Sequence, residues 1–188
     1  MEYFENNSWN EADERNKVVN KKYKNIIKDK CEDICIRNNI RGIKKGIDRD
    51  YVLMTLREFH FGFISTIETN ERIINRGNKK SYILCGFCLC KYVKNKDEIY
   101  IDAICSNPSV GFRGVGSELI KQVSIFALEN RINILKLKVH FCNYELIEYY
   151  EKNGFKIKTD IPIEITDLDA NYLLDKNIEE YNMQKILS

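Results

Sequence analysis

Apolar residues recur along this chain with two different periods, and the change between them divides the sequence. In the polar first thirty residues, Val19, Tyr23, Ile26 and Ile27 return at helical spacing, which predicts a helix within an amino-terminal extension over 1–33. From Ile34 to Ile43, "ICIRNNIRGI" predicts a strand, and Asp48 then stands where a cap is needed for a helix over "RDYVLMTLREF". "FISTIETNERII" predicts a second helix, and "NRGNKK" at 75–80 has the Gly, Asn and Lys content of a loop.

The period then shortens. "SYILCGFCLCKYV" (Ser81–Val93) and "EIYIDAICS" (Glu98–Ser106) are rich in β-branched, aromatic and Cys residues, and "KNKD" joins them as a hairpin turn. A helix is predicted from about Ser117 to Glu129, its stripe made of Leu119, Ile120, Val123, Phe126 and Ala127. "ILKLKVH" (Ile134–His140) alternates as a strand. "NYELIEYYEKNGF" predicts a short helix that Asn143 caps and that Gly154 ends in a left-handed conformation. "FKIK" and "EYNMQKIL" predict two closing strands.

Composition adds bounds. A chain of 188 residues fits one domain with an extension, here placed at 34–188 and 1–33. Its 30 basic residues nearly cancel 28 acidic ones, so no global field draws nucleic acid or a membrane surface, and neither is expected as a partner. The start, "MEYFENNSWNEADERNKVV", lacks the basic lead and apolar block of a secretory signal, and no stretch approaches the about 18 apolar residues of a membrane span. A cytoplasmic or nuclear location is expected. The seven cysteines are odd in number, which fits free thiols in a reducing compartment.

Between the strand ending at Ser106 and the helix near Ser117 lies "NPSVGFRGVGSELI" (Asn107–Ile120), with Gly111, Gly114, Gly116 and Arg113. A dinucleotide-binding G-x-G-x-x-G is excluded because the wide gap comes first. A P-loop needs a lysine before its Ser or Thr; Gly111 to Ser117 reproduces the remaining pattern without that lysine. What remains is a loop whose backbone N–H groups, from Phe112, Arg113, Gly114, Val115 and Gly116 to Ser117, converge on an anion at a helix N-terminus, or else an ordinary strand-to-helix turn.

At these residues the sequence resembles the GNAT superfamily of N-acetyltransferases, whose signature Q/R-x-x-G-x-G/A follows the fourth strand and opens a helix. "GFRGVG" keeps the two later glycines but has Gly111 where the family usually carries Gln or Arg; Arg113 is the substitute for that contact, or a solvated loop residue. "YIDAICSNPSVGFRGVGSELI" is similar in spacing to the spermidine/spermine acetyltransferase type, while "LKLKVHFCNYELIEYYEKNGFK" and "YNMQKIL" resemble the later strands and the helix between them. The resemblance covers Ser81 to Phe155 well and the ends loosely. It implies an α/β (α+β) domain with a mixed, mostly antiparallel central sheet flanked by helices. It also implies acetyl-coenzyme A (acetyl-CoA) as co-substrate and an amine as acceptor.

An alkyl amine near pKa ~10.4 is protonated at neutral pH and must lose a proton before it attacks. Asp102 matches the glutamate of YLED-type members and is the expected base, directly or through water; a strand carboxylate is otherwise a solvent-facing group or a salt-bridge partner. Tyr150, in "EYYEKNGF", matches the family's general-acid tyrosine, and its bland alternative is a core tyrosine. A backbone N–H near Ile104 is expected to face the oxyanion, Ile104 and Ser106 to offer main-chain partners to pantetheine, and Asn143 to touch it, to cap its helix, or both.

Cys31-x-x-x-Cys35 and Cys85-x-x-Cys88 do not make a metal centre, because Cys85 and Cys88 alternate across a strand whereas Cys88 and Cys90 share a face; no metal is expected. The acceptor is a polyamine, a small-molecule amine or a protein amine, and a homodimer is one option for the oligomeric state. A second reading of a different class is an acyl-CoA-binding module without turnover, prompted by Gly111 in the signature and by Asp102 in place of glutamate.

Overall fold

The computed structural model of the chain describes residues 1–5, 21–31, 49–73, 77–93, 97–140, 143–158 and 180–188. In chain order the elements are β1 (Glu2–Glu5), α1 (21–31), α2 (Arg49–Glu58), β2 (Phe61–Ile73), β3 (Gly77–Tyr92), β4 (Glu98–Ser106), a 3-10 turn (Pro108–Val110), α3 (Val115–Glu129), β5 (Ile134–His140), α4 (Tyr144–Lys152), β6 (Lys156–Ile157) and β7 (Glu180–Ile186). The seven strands form one sheet in the order β1-β2-β3-β4-β5-β7-β6. β4 and β5 run parallel, while β1–β2, β2–β3, β5–β7 and β6–β7 are antiparallel. This is the mixed, mostly antiparallel sheet with helices that the family resemblance implies.

The chain divides into two compact units, Met1–Lys91 with Ile101–Val123, and Tyr92–Tyr100 with Ser124–Ser188. In the first, Phe4, Ile64, Phe87 and Leu89 from the strands are buried with Tyr23, Ile27 and Cys31 from α1 and Val52, Leu56 and Phe59 from α2 and its end. Full burial of such side chains stabilises by about 1.5–3 kcal/mol each. Tyr23, Ile27 and Cys31 recur every four residues, so α1 presents one apolar stripe, as the helical spacing predicts. β1 is too short to announce itself: in "EYFE" Phe4 is buried and Tyr3 exposed, and its ladder runs from Glu2↔Ile64 to Glu5↔Phe61.

Two expectations are corrected here. "FISTIETNERII" is not a helix but most of β2, paired with β3 from Phe61↔Cys90 to Ile73↔Gly77. Its Ile and Thr residues are β-branched, stiff at χ1 and suited to a pleated surface, and ladder pairing on β3 outweighs an ambiguous apolar period. The loop expected at 75–80 does not hold from Gly77 onward, where β3 already begins, and 75 and 76 lie outside the described residues. The predicted strand at Ile34–Ile43, the Asp48 cap and most of the "KNKD" turn lie outside the described residues.

In the second unit, β5 buries Leu135, Leu137 and Val139, and β7 buries Met183. The β5–β7 register runs from Ile134↔Ile186 to His140↔Glu180, and β6 adds Lys156↔Gln184 and Ile157↔Met183. The β4–β5 ladder holds Glu98↔Ile134, Ile99↔Leu135 and Tyr100↔Lys136, and Glu98 lies 2.7 Å from Lys136.

Candidate functional site

The glycine loop is built from the strand that precedes it. In the β2–β3 register, Ser65 pairs with Gly86 and Thr66 with Leu84, which leaves Cys85 as an extra residue in β3. Asn107, just past β4, clamps that bulge: its N–H donates to the Cys85 carbonyl (2.7 Å) and its side-chain amide to the Leu84 carbonyl (3.0 Å). The Asn107 Oδ1 accepts the Ser109 N–H at 3.1 Å and so starts the 3-10 turn, which Gly111 closes at φ 73°. Gly114 follows at φ 82°, and α3 begins at Val115.

Gly111 and Gly114 therefore sit where a side chain is strained, and a Cβ at either meets nothing within 4 Å. At Gly111 it is the left-handed backbone that favours glycine. The first intrahelical bond runs from the Glu118 N–H to the Gly114 carbonyl at 2.9 Å, so the amides of Val115 and Gly116 lie ahead of any i−4 partner, at the positive end of the helix dipole. Phe112, Arg113 and Gly114 are exposed; Val115, Gly116 and Ser117 are half-buried.

Gly86 fixes where that helix end sits. A Cβ on Gly86 would lie 2.7 Å from the Cys105 carbonyl oxygen, 2.8 Å from Val115 Cγ1 and 3.3 Å from Leu119 Cδ1. Gly86→Ala is expected to destabilise by about 2 kcal/mol through overpacking, and to lower the melting midpoint by about 4–8 °C for a chain of this size. An unchanged midpoint would show that α3 does not rest on β3 at this point.

Asp102 stands at the middle of β4 with only 7% of its side chain exposed. Its Oδ1 accepts the Tyr51 hydroxyl of α2 at 2.8 Å, and its Oδ2 lies 2.6 Å from the Lys91 Nζ of β3. Lys91 also reaches Glu58 Oε2 at 3.1 Å. Burial pulls the Lys91 ammonium down, but hydrogen bonds and charge attraction from Asp102 and Glu58 outweigh it and hold the group above the usual lysine value. Asp102 is thus a salt-bridge partner, one of the alternatives its sequence position allows. Beside it, Cys88 and Cys90 share a face as expected, with their sulfurs 3.7 Å apart. Burial first, then Cys88 and Asp102, push the Cys90 thiol well up, which makes it a poor nucleophile. Cys31, Cys85, Cys88, Cys90 and Cys105 are all free and buried.

Farther along β4, Ile104 is half-buried and Ser106 exposed, four and six residues after Tyr100, the last β4 residue of the three-pair ladder.

The second unit carries Asn143 and Tyr150 on α4, seven residues and so about 10 Å apart along the helix axis. Asn143 is the N-cap: its Oδ1 accepts the Leu146 N–H at 3.3 Å. At the other end, the Phe155 N–H donates to the Tyr150 carbonyl (3.0 Å) and the Gly154 N–H to the Glu151 carbonyl (2.9 Å), with Gly154 at φ 88°. This is a Schellman motif, and its accompanying apolar contact is Tyr150 against Phe155, ring centroids 5.8 Å apart. Tyr150 is 5% exposed and also packs edge-on against Tyr149.

The surroundings of Asp102 leave no local mark in the sequence. Tyr51 and Glu58 share a face of α2 seven residues apart, and Lys91 ends an apolar run, but nothing in the sequence joins them to Asp102. For Asn107 the sequence does hold a signal, since an Asn directly before Pro favours the start of a turn.

The model of the family described as Acetyltransferase (GNAT) matches residues 47–155, more than half of the chain. Among solved structures the fold is similar to that of Tetrahymena GCN5, with a TM-score of 0.56 at 16% identity over 100% of this chain and 97% of that one. It is similar to an acetyltransferase of the GNAT family from Staphylococcus aureus Mu50, with a TM-score of 0.57 at 14% identity over 100% and 99%. It is also similar to the PaiA N-acetyltransferase of Thermoplasma acidophilum solved in complex with coenzyme A, with a TM-score of 0.52 at 14% identity over 88% and 93%. No curated protein matches the chain.

Proposed function

This chain belongs to the acetyltransferase (GNAT) family, and on that premise we propose that it transfers an acetyl group from acetyl-CoA to an amine by direct attack in a ternary complex. The observation that carries the reading is the Asn107–Gly114 loop. It combines two left-handed glycines, open space at both Cβ positions, and the start of a 15-residue helix just past the end of β4. Backbone amides from Phe112 to Ser117, with Arg113, receive the diphosphate, because small residues let it approach the main chain and the helix dipole favours its charge. Ile104 and Ser106 offer main-chain partners to pantetheine, Asn143 is a further contact for it, and the Ile104 N–H faces the oxyanion.

In this reading Asp102 is the base that takes up the amine proton, and Tyr150 protonates the departing thiolate. The acceptor is a polyamine, a small-molecule amine or a protein amine. One observation favours the non-catalytic module instead: both oxygens of Asp102 already have partners, Tyr51 and Lys91. Thiol release separates the two. With acetyl-CoA and a panel of spermidine, n-butylamine and a lysine peptide, we expect free thiol to appear with at least one amine. Binding of coenzyme A without thiol release from any amine would favour the module and sink the transferase reading.

A further inference from the structure

We infer that Tyr51 is a catalytic residue, the group that contacts the acceptor amine and relays its proton to Asp102. This rests on the reading of Asp102 as base. The Asp102 carboxylate is almost enclosed, 7% exposed, whereas Tyr51, whose hydroxyl holds its Oδ1 at 2.8 Å, is 36% exposed. Lys91 occupies the other oxygen at 2.6 Å. An incoming amine therefore meets the phenol before it meets the carboxylate.

The direction of the hydrogen bond sets what Tyr51 recognises. A phenol has one proton to donate, and here it is spent inward, on Asp102 Oδ1 with a longer contact to the Asp102 carbonyl at 3.4 Å. A bond between Oη and a ligand is then one in which Oη accepts, which suits an amine or ammonium and disfavours a carboxylate or phosphate. Lys91 is a positioning residue: it holds Oδ2, and its charge is shared with Glu58 at 3.1 Å, so the ammonium does not fully neutralise Asp102. Among the described residues, the charged and titratable groups against Asp102 are Lys91 and Cys90 from β3 and Tyr51 from α2, with Glu58 reached through Lys91.

The relay balances without a further reactant. An N–H bond of the ammonium breaks as a new bond forms to Tyr51 Oη, and the former Oη proton passes to Asp102 Oδ1. Tyr51 ends neutral, Asp102 ends protonated, and the lone pair released on nitrogen attacks the acetyl carbonyl carbon.

The test compares Tyr51→Phe, Asp102→Asn and the double variant, using the amines of the same panel and calorimetric titration with coenzyme A. Tyr51→Phe is expected to lower kcat/KM for the amine by about 10²-fold at neutral pH with coenzyme A affinity unchanged. Adding it to Asp102→Asn is expected to cost nothing more, because the two act as one unit. The Tyr51→Phe penalty is also expected to shrink as pH nears about 10.4, where an alkyl amine is already half neutral. A merely structural tyrosine would give a penalty independent of pH, and that result overturns the relay. A wild-type rate for Tyr51→Phe beside an impaired Asp102→Asn removes Tyr51 and keeps Asp102. A wild-type rate for Asp102→Asn, or no turnover of any amine by the native chain, removes both.

Discussion

Gly114→Glu is expected to abolish binding of coenzyme A while leaving the fold in place. Gly114 sits at φ 82° with nothing within 4 Å of its Cβ position. A side chain there meets no atoms, and the strain of a left-handed non-glycine residue is about 1–2 kcal/mol. The larger consequence is electrostatic. A carboxylate beside the α3 N-terminus repels a bound diphosphate, and at an effective dielectric constant near 20 a pair of like charges about 4 Å apart costs about 4 kcal/mol, or more than roughly a hundredfold in affinity. Gly114→Ala carries the strain without the charge, so it is expected to lose about tenfold or less, in line with about 1 kcal/mol. Calorimetric titration with coenzyme A at millimolar concentration, run on both variants with a melting curve for each, checks the ordering. Retained affinity in the glutamate variant would take the phosphate away from this loop.

That loop was legible because the demand it places on the backbone is written in residue type. Positive φ favours glycine, and glycine stands at 111, 114 and 154, three of the four described positions that turn left-handed; the fourth is Arg131 at φ 58°. The ends of α4 were legible for the same reason, with Asn143 as a capping side chain and Gly154 as the stop. The alternation of β4 was readable too: Ile99, Ile101, Ala103 and Cys105 are buried, and Tyr100, Asp102 and Ile104 lie on the more open face.

What stayed hidden depends on contacts between distant residues. β2 reads as a helix in isolation, since Phe63, Ile64 and Ile67 also fit a helical spacing; only its pairing with β3 decides the matter. The partners of Asp102 come from residues 51 and 11 positions earlier in the chain, Tyr51 and Lys91, on a helix and a neighbouring strand. No local propensity encodes such an encounter. β1 likewise has Phe4 as the one buried side chain among those described to mark it, and its place in the sheet follows from the β2 edge it covers.

Tyr150→Phe is expected to lower kcat by about 10²-fold, the size of effect a positioned general acid supplies, while KM and coenzyme A affinity change little. The ring is what the fold uses: Tyr150 packs on Phe155 and Tyr149 at centroid distances of 5.8 and 5.4 Å, and phenylalanine keeps both contacts. The helix end is equally indifferent to the hydroxyl, because the Schellman bonds run through the Tyr150 and Glu151 carbonyls. Loss of the hydroxyl costs about 1 kcal/mol of stability at most for one hydrogen bond, so melting should shift by only a few degrees and cannot account for a hundredfold loss of rate. Steady-state kinetics with acetyl-CoA and an amine from the panel, beside a coenzyme A titration, separate chemistry from binding. A variant that turns over at the native rate would assign Tyr150 to packing alone and leave the thiolate to be protonated by solvent.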